Sequence, residues 1–253
     1  MNSSTSSRPD AGRVAVVTGA AGGLGQAFAH ALAASGHRLI LTDRASCAEL
    51  ATAIRAQGGE AATLACDLGD AAALTAFAAE AQAVWGRVDV LVNNAAFIPI
   101  QPYTAITLTL WRQIMAINVD APFLLAQAFA PGMAERGRGR IINLASSTVW
   151  GPPPGFSAYA ASKMGVIGLT RGLASELGGQ GITVNAISPG LTRHPGSAAA
   201  LPQQAFDSVR ARQFIPRTEE PADLVGALDF LVSDAASFVT GQVLNVDGGG
   251  FGF

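Results

Sequence analysis

From Arg13 onward, short apolar runs rich in β-branched residues alternate with longer alanine-rich stretches whose apolar positions recur at helical period. That rhythm is the one a parallel sheet with helices on both faces produces. Seven runs read as strands, at 14–18, 38–42, 61–65, 88–92, 140–144, 183–187 and 242–246. Each is apolar with little in–out alternation, as required of strands buried on both sides. The intervening stretches predict helices over 25–35, 47–57, 71–85, 108–135, 157–177 and 221–233, with Ser46 and Asp70 as N-caps and Gly36, Gly58 and Gly86 as stops. The predicted fold is α/β, a doubly wound, seven-stranded parallel sheet of Rossmann-like type, without internal repeats.

One stretch breaks the rhythm. Residues 191–218 join the sixth strand to the last helix through Pro195, Gly196, Pro202 and Pro216. A connection this long, leaving the carboxyl end of a strand, predicts a cover over a ligand, because open α/β sheets bind ligands at that edge. The serine-rich residues 1–12 predict a flexible tail, and 13–253 a single dinucleotide-binding catalytic domain.

Composition narrows the function classes. Of 253 residues, 49% are apolar and only 13% charged, enough for a large core and little charged surface for an isolated chain, which points to an oligomer. With 16 basic against 18 acidic side chains and no basic stripe, no nucleic-acid partner is expected. Cys47 and Cys66, with His30, His37 and His194, have neither disulfide-framework nor metal-ligand spacing, so no metal site is predicted and the expected setting is reducing and cytoplasmic. No stretch reads as long enough to span a membrane.

The candidate chemistry begins after the first strand. Gly19, Gly22, Gly23, Leu24 and Gly25 form a glycine-rich turn whose backbone amides can approach a pyrophosphate at a helix N-terminus. Asp43 ends the second strand, where a carboxylate accepts from adenosine ribose hydroxyls and repels a 2′-phosphate, so NAD is the expected cofactor. Arg44 could hold a 2′-phosphate by swinging inward, yet Asp43 would remain beside that negative group. Tyr159 and Lys163 are four apart on a predicted helix, hence on one face. Ser146 follows the fifth strand at the ligand-binding edge. Alcohol oxidation needs a group to take the hydroxyl proton as hydride leaves carbon. A phenol does this only when nearby positive charge lowers a pKa of about 10. Lys163 can supply that charge, and Ser146 can hold the substrate oxygen.

Taken together these residues resemble the short-chain dehydrogenase/reductase family over nearly the whole chain. The motifs Thr18-Gly19-x-x-x-Gly23-x-Gly25, Asp67-Leu68, Asn93-Asn94-Ala95-Ala96, Asn118, Ser146, Tyr159-x-x-x-Lys163, Pro189-Gly190 and Val246-Asp247-Gly248-Gly249 occur in the family's order. The resemblance implies that Ser146, Tyr159, Lys163 and Asn118 are catalytic, Asn118 through a water linking the lysine to solvent. It implies that Asp67 and Leu68 meet the adenine and that the Asn93–Ala96 run, with Asn94, Ala95 and Ala96, meets the ribose region. Lys163 and Tyr159 would flank the nicotinamide ribose, and Pro189, Gly190, Leu191 and Thr192 the carboxamide. Two positions depart from the pattern. Ala96 replaces a glycine, and His194 stands where many relatives place the threonine that meets the carboxamide, a role Thr192 could partly take.

Ile98, Ser146, Trp150, Phe156, Tyr159, His194 and Phe214 are the predicted substrate-pocket residues. Their apolar and aromatic character predicts a hydrophobic, aryl-bearing secondary alcohol or ketone of the 1-phenylethanol/acetophenone type. Alternatives within the class are a 3-oxoacyl-type reductase or a pyridoxal-type dehydrogenase; outside it, a non-catalytic dinucleotide sensor. Relatives are commonly tetramers, so a homotetramer is expected.

Overall fold

A computed structural model describes residues 12–251. The predicted tail up to residue 11 lies outside the described residues, as do Gly252 and Phe253. Seven strands form one wholly parallel sheet in the order β3-β2-β1-β4-β5-β6-β7. They are β1 (Val14–Thr18), β2 (Arg38–Thr42), β3 (Glu60–Thr63), β4 (Val90–Asn93), β5 (Gly139–Leu144), β6 (Ile182–Pro189) and β7 (Val243–Val246). All of β1, β4, β5 and β6 is buried, which is why these runs lack alternation.

Helices cover both faces. They are α1 (Gly23–Ala34), α2 (Ala48–Ala56), α3 (Ala71–Trp85), α4 (Leu108–Met115), α5 (Ala121–Glu135), α6 (Ser157–Leu177), α7 (Pro195–Ala200), α8 (Gln203–Arg210) and α9 (Ala222–Val232). Phe28, Leu32, Leu224 and Leu228 of α1 and α9 meet Val17, Leu41, Val92 and Ile187 on one face. On the other, Leu74 and Phe77 of α3 with Leu125, Phe129 and Met133 of α5 meet Val16, Ile40, Leu91 and Ile141. Each of these fully buried side chains contributes about 1.5–3 kcal/mol of transfer free energy. The Asp70 carboxylate caps α3 by accepting from the Ala72 and Ala73 amides, and Gly86, at φ 72°, ends it in the left-handed conformation that glycine adopts without strain.

The predicted helix over 108–135 runs as one helix, Leu108–Glu135, in which a π-turn, Ala116–Asp120, joins α4 to α5. Two expectations are corrected. The Leu108–Glu135 run is also long and apolar enough to cross a membrane by length and composition, with mean hydropathy 1.3, contrary to the sequence reading. Half of it is buried, and α5 is part of the core beneath the sheet. Finally, 191–218 is not one loop, since α7 and α8 form within it. Pro195 occupies the first turn of α7, where its missing amide costs nothing.

The strand order reverses between β1 and β4, opening a crevice beyond their carboxyl ends. Thr18, Asp43, Asn94, Ser146 and Gly190 lie at or just past strand ends along this edge.

Candidate active site

The edge carries a cavity of about 680 Å³, within the range of small-molecule and cofactor sites. At one end the glycine-rich turn is held from three directions. The Ala20 amide donates to Thr42 O (3.1 Å), the Ala21 amide to Asp43 Oδ2 (3.1 Å), and Asn94 Nδ2 to Thr18 O (2.9 Å) and Gly19 O (3.1 Å). The Thr18 hydroxyl accepts from the Asn94 and Ala95 amides (both 3.1 Å), tying the end of β1 to that of β4. Gly19 has φ +64°, and a Cβ there would sit 2.8 Å from Ala95 Cα. Gly22 caps α1 without a side-chain acceptor, so the first amides of the helix face the cavity without an intramolecular cap. A glycine cradle, an uncapped helix N-terminus and a carboxylate at Asp43 fit a dinucleotide with its pyrophosphate on the turn and its adenosine toward Asp43.

At the other end stand Ser146, Tyr159 and Lys163, all buried. Ser146 follows β5 and accepts from the Thr148 hydroxyl (2.8 Å). One turn of α6 separates Tyr159 from Lys163, whose Nζ lies 5.7 Å from the phenol ring centroid and donates to Leu144 O (2.5 Å). Burial pushes the Tyr159 phenol up to about 12, a hydrogen bond with Ser146 opposing the rise. Burial also brings Lys163 down to about 8. Both shifts have one cause, the exclusion of charge from a dry cavity. The Phe156 ring meets Tyr159 edge-on at 6.1 Å and shields it further.

Asn118 lies in the π-turn with its side chain fully engaged. Its Oδ1 accepts from the Phe97 amide (2.8 Å), and its Nδ2 donates to Phe97 O (3.0 Å) and Ser162 Oγ (3.0 Å). It therefore ties the segment following β4 to α6 beside Lys163, and its side chain makes no bond to the lysine. The π-turn is the device that aims it, as such turns do at functional sites.

Most sequence-predicted residues line this cavity: Gly19, Gly22, Gly23, Leu24, Gly25, Asp43, Arg44, Asp67, Leu68, Asn94, Ala95, Ala96, Ile98, Ser146, Phe156, Tyr159, Lys163, Pro189, Gly190, Leu191, Thr192 and His194. Three do not. Asn93 is buried inside the sheet, donating to Asn143 Oδ1 (2.8 Å), because it is the last residue of β4 and points into the core. Trp150 follows the 3₁₀ turn Ser147–Val149 and is 37% exposed outside the cavity. Phe214 is 81% exposed and packs on Gly249, beyond α8, where the chain has already left the cavity. His194 packs directly on Gly23, where a Cβ would lie 2.4 Å from its own, so the segment after β6 docks on the glycine-rich turn through this pair.

Other residues escaped the sequence reading. Buried Glu219 holds the segment after β6. Its carboxylate accepts from the Gly190 amide (3.0 Å) and the Thr192 hydroxyl (2.5 Å), and its carbonyl from the Arg193 amide (2.7 Å). Burial pushes this carboxyl up to about 7. Nothing in Glu219-Glu220-Pro221 distinguishes it from an exposed helix start. Thr192 spends its proton on Glu219, leaving only its lone pairs for the cavity. Ser208, Val209 and Arg212, and Phe251 from the last described residues, also line the cavity.

The family profile described as enoyl-(acyl carrier protein) reductase matches residues 19–250. Galactitol 2-dehydrogenase (L-tagatose-forming) of Cereibacter sphaeroides is 41% identical over 94% of both chains. D-threitol dehydrogenase of Mycolicibacterium smegmatis is 40% identical over 94% of this chain and 92% of its own. Among solved structures, a putative NAD(P)-dependent gluconate 5-dehydrogenase from Beutenbergia cavernae with bound NADP superposes with TM-score 0.91 at 42% identity, covering 96% of this chain and 98% of that one. Matched along almost its entire length in sequence and in fold, and carrying serine, tyrosine and lysine together at the cavity's inner end, the chain belongs to the short-chain dehydrogenase/reductase family of oxidoreductases.

Proposed function

We propose that the chain is an NAD-dependent dehydrogenase of a secondary alcohol carried by a polyhydroxylated small molecule. The observation that carries this reading is the convergence of Ser146, Tyr159 and Lys163 at one end of a continuous cavity bounded at the other by Asp43. When bound, the nicotinamide exchanges hydride with the carbinol carbon and, oxidised, brings positive charge. Ser146 Oγ orients the substrate oxygen, Tyr159 Oη accepts its proton, and Lys163, fixed to Leu144 O, holds the site positive and grips ribose hydroxyls. Glu219 keeps the wall formed by 190–193 in place.

Asp43 favours NAD, since its carboxylate would face a 2′-phosphate, while exposed Arg44 lies on the same rim. The polyol preference rests on the named substrates of the two relatives and on Thr148, Ser197 and Ser208 among the lining. The aryl-bearing alcohol anticipated from sequence has less support, because Trp150 and Phe214, two of the four Phe, Tyr and Trp residues predicted for its pocket, stand outside the cavity. The proposed assembly is a symmetric homotetramer, in keeping with exposed Leu108, Trp111, Phe123 and Met164 on α4–α6.

A panel of alditols, aldonates and 1-phenylethanol, each with NAD and with NADP, tests the reading. The expected result is turnover of the polyhydroxylated compounds ahead of 1-phenylethanol, with kcat/KM for NAD at least about tenfold above NADP, a difference of about 1.4 kcal/mol. Preference for NADP, or for 1-phenylethanol, overturns the corresponding half. No turnover of any alcohol would favour a dinucleotide sensor.

A further inference from the structure

Segment 191–218 contains four arginines, and three have polar partners. Arg193 stacks over the Phe206 ring at 4.0 Å and donates to Gln203 Oε1 (2.7 Å). Arg210 pairs with Asp207 (3.2 Å), and Arg217 with Asp223 (2.5 Å). Arg212 alone has no carboxylate or other hydrogen-bond acceptor for its guanidinium among the described residues, and it alone of the four lines the cavity.

Its placement is defined by its neighbours. The guanidinium lies 6.0 Å from the centroid of Phe251, and the Phe251 ring packs on Gly151, where a Cβ would be 2.4 Å from it. Gly151 lies five residues after Ser146, and both line the same cavity as Arg212, which places Arg212 beside the Ser146 end of the cavity. Phe251 is itself anchored, its amide donating to Asp247 Oδ2 (3.0 Å). The Phe251 ring, set on Gly151, bounds the space open to the guanidinium on that side.

The charge distribution agrees. The acidic residues lining the cavity are Asp43 and Asp67, both at the adenosine end; the remaining cations are Arg44 at that same end and Lys163. The substrate end therefore carries Lys163 and Arg212 with no acid to oppose them. A planar fork of N–H donors without an internal partner matches a carboxylate in a two-point contact.

We propose that Arg212 binds a carboxylate on the substrate, making the preferred substrate a polyhydroxy acid and not the neutral polyol. This inference rests on the dehydrogenase reading above. Arg212 is a specificity-determining residue and takes no part in proton or hydride transfer.

The test uses the full chain with NAD and matched pairs of aldonates of four to six carbons and their aldonamides, which differ only in charge at the terminal carbon. Wild-type protein is expected to favour the acid by about 10- to 100-fold in kcat/KM, the range of a hydrogen bond to a charged group. In Arg212→Gln that ratio falls at least about tenfold, through KM for the acid with kcat little changed, and Arg212→Lys restores part of it. NAD binding to the variant, followed by tryptophan fluorescence, reports an intact fold. Equal use of acid and amide by wild type, or an unchanged ratio in Arg212→Gln, overturns the proposal. So does turnover of alditols with neither acid nor amide accepted. Failure of every alcohol would instead overturn the dehydrogenase reading beneath it.

Discussion

Tyr159→Phe lowers kcat for alcohol oxidation by about 10³-fold or more while cofactor affinity stays within a few-fold. The substitution removes one oxygen from a side chain that is otherwise held by its edge-on contact with Phe156, so packing and fold are preserved. What disappears is the acceptor for the substrate's hydroxyl proton and the hydrogen-bond partner of Ser146. Steady-state kinetics alongside equilibrium binding of NAD check both halves. Retained turnover would remove Tyr159 from the reaction, and loss of cofactor binding would mean the phenol oxygen supports the architecture instead.

Gly25→Ala is expected to weaken cofactor binding by more than about 100-fold, about 2.7 kcal/mol, and to lower thermal stability as well. An added Cβ would lie 2.2 Å from Gly19 O and 2.8 Å from Ala20 Cα, both backbone atoms of the turn. Neither can yield as a flexible side chain would, so the turn itself must move. The turn is anchored at Thr42, Asp43 and Asn94, and its displacement takes the amides of α1 out of register with a pyrophosphate. Isothermal titration with NAD reads the affinity. A variant binding within threefold of wild type would show that the cradle tolerates the shift.

The strands were legible because a strand buried on both faces leaves an unbroken apolar run, and β1 and β2 match their predicted limits residue for residue. The convergence of Ser146, Tyr159 and Lys163 on one cavity was legible because a helix spacing of four and a position after a strand end are linear features. What depends on side-chain direction was not. Asn93 and Asn94 are adjacent, yet strand geometry sends one into the core and the other onto the glycine-rich turn. Trp150 and Phe214 lie close in sequence to cavity residues but face away from the cavity. Glu219 and Arg212 are ordinary surface-type residues in sequence, and only the path of 191–218 gives one a buried clamp and the other a place at the cavity. Of the prolines that break the rhythm there, Pro195 and Pro202 start short helices.

Alcohol oxidation here requires a buried phenol to become a proton acceptor. In the chain alone, burial holds Tyr159 at about 12 and Lys163 at about 8, so at neutral pH the lysine is mostly charged and the phenol almost entirely protonated. Positive charge brought beside the phenol must lower it, by about 1.4 kcal/mol for each unit. Tyr103 and Tyr159 are the only tyrosines, so a Tyr103→Phe protein reports Tyr159 alone by ultraviolet difference spectroscopy. At about pH 7.5, where Lys163 keeps most of its charge and which is far below the phenol midpoint of about 12, the free protein is predicted to show almost no phenolate, and saturation with oxidised NAD to make it appear. A phenolate signal that is the same with and without oxidised NAD would mean that Tyr159 is not the proton acceptor.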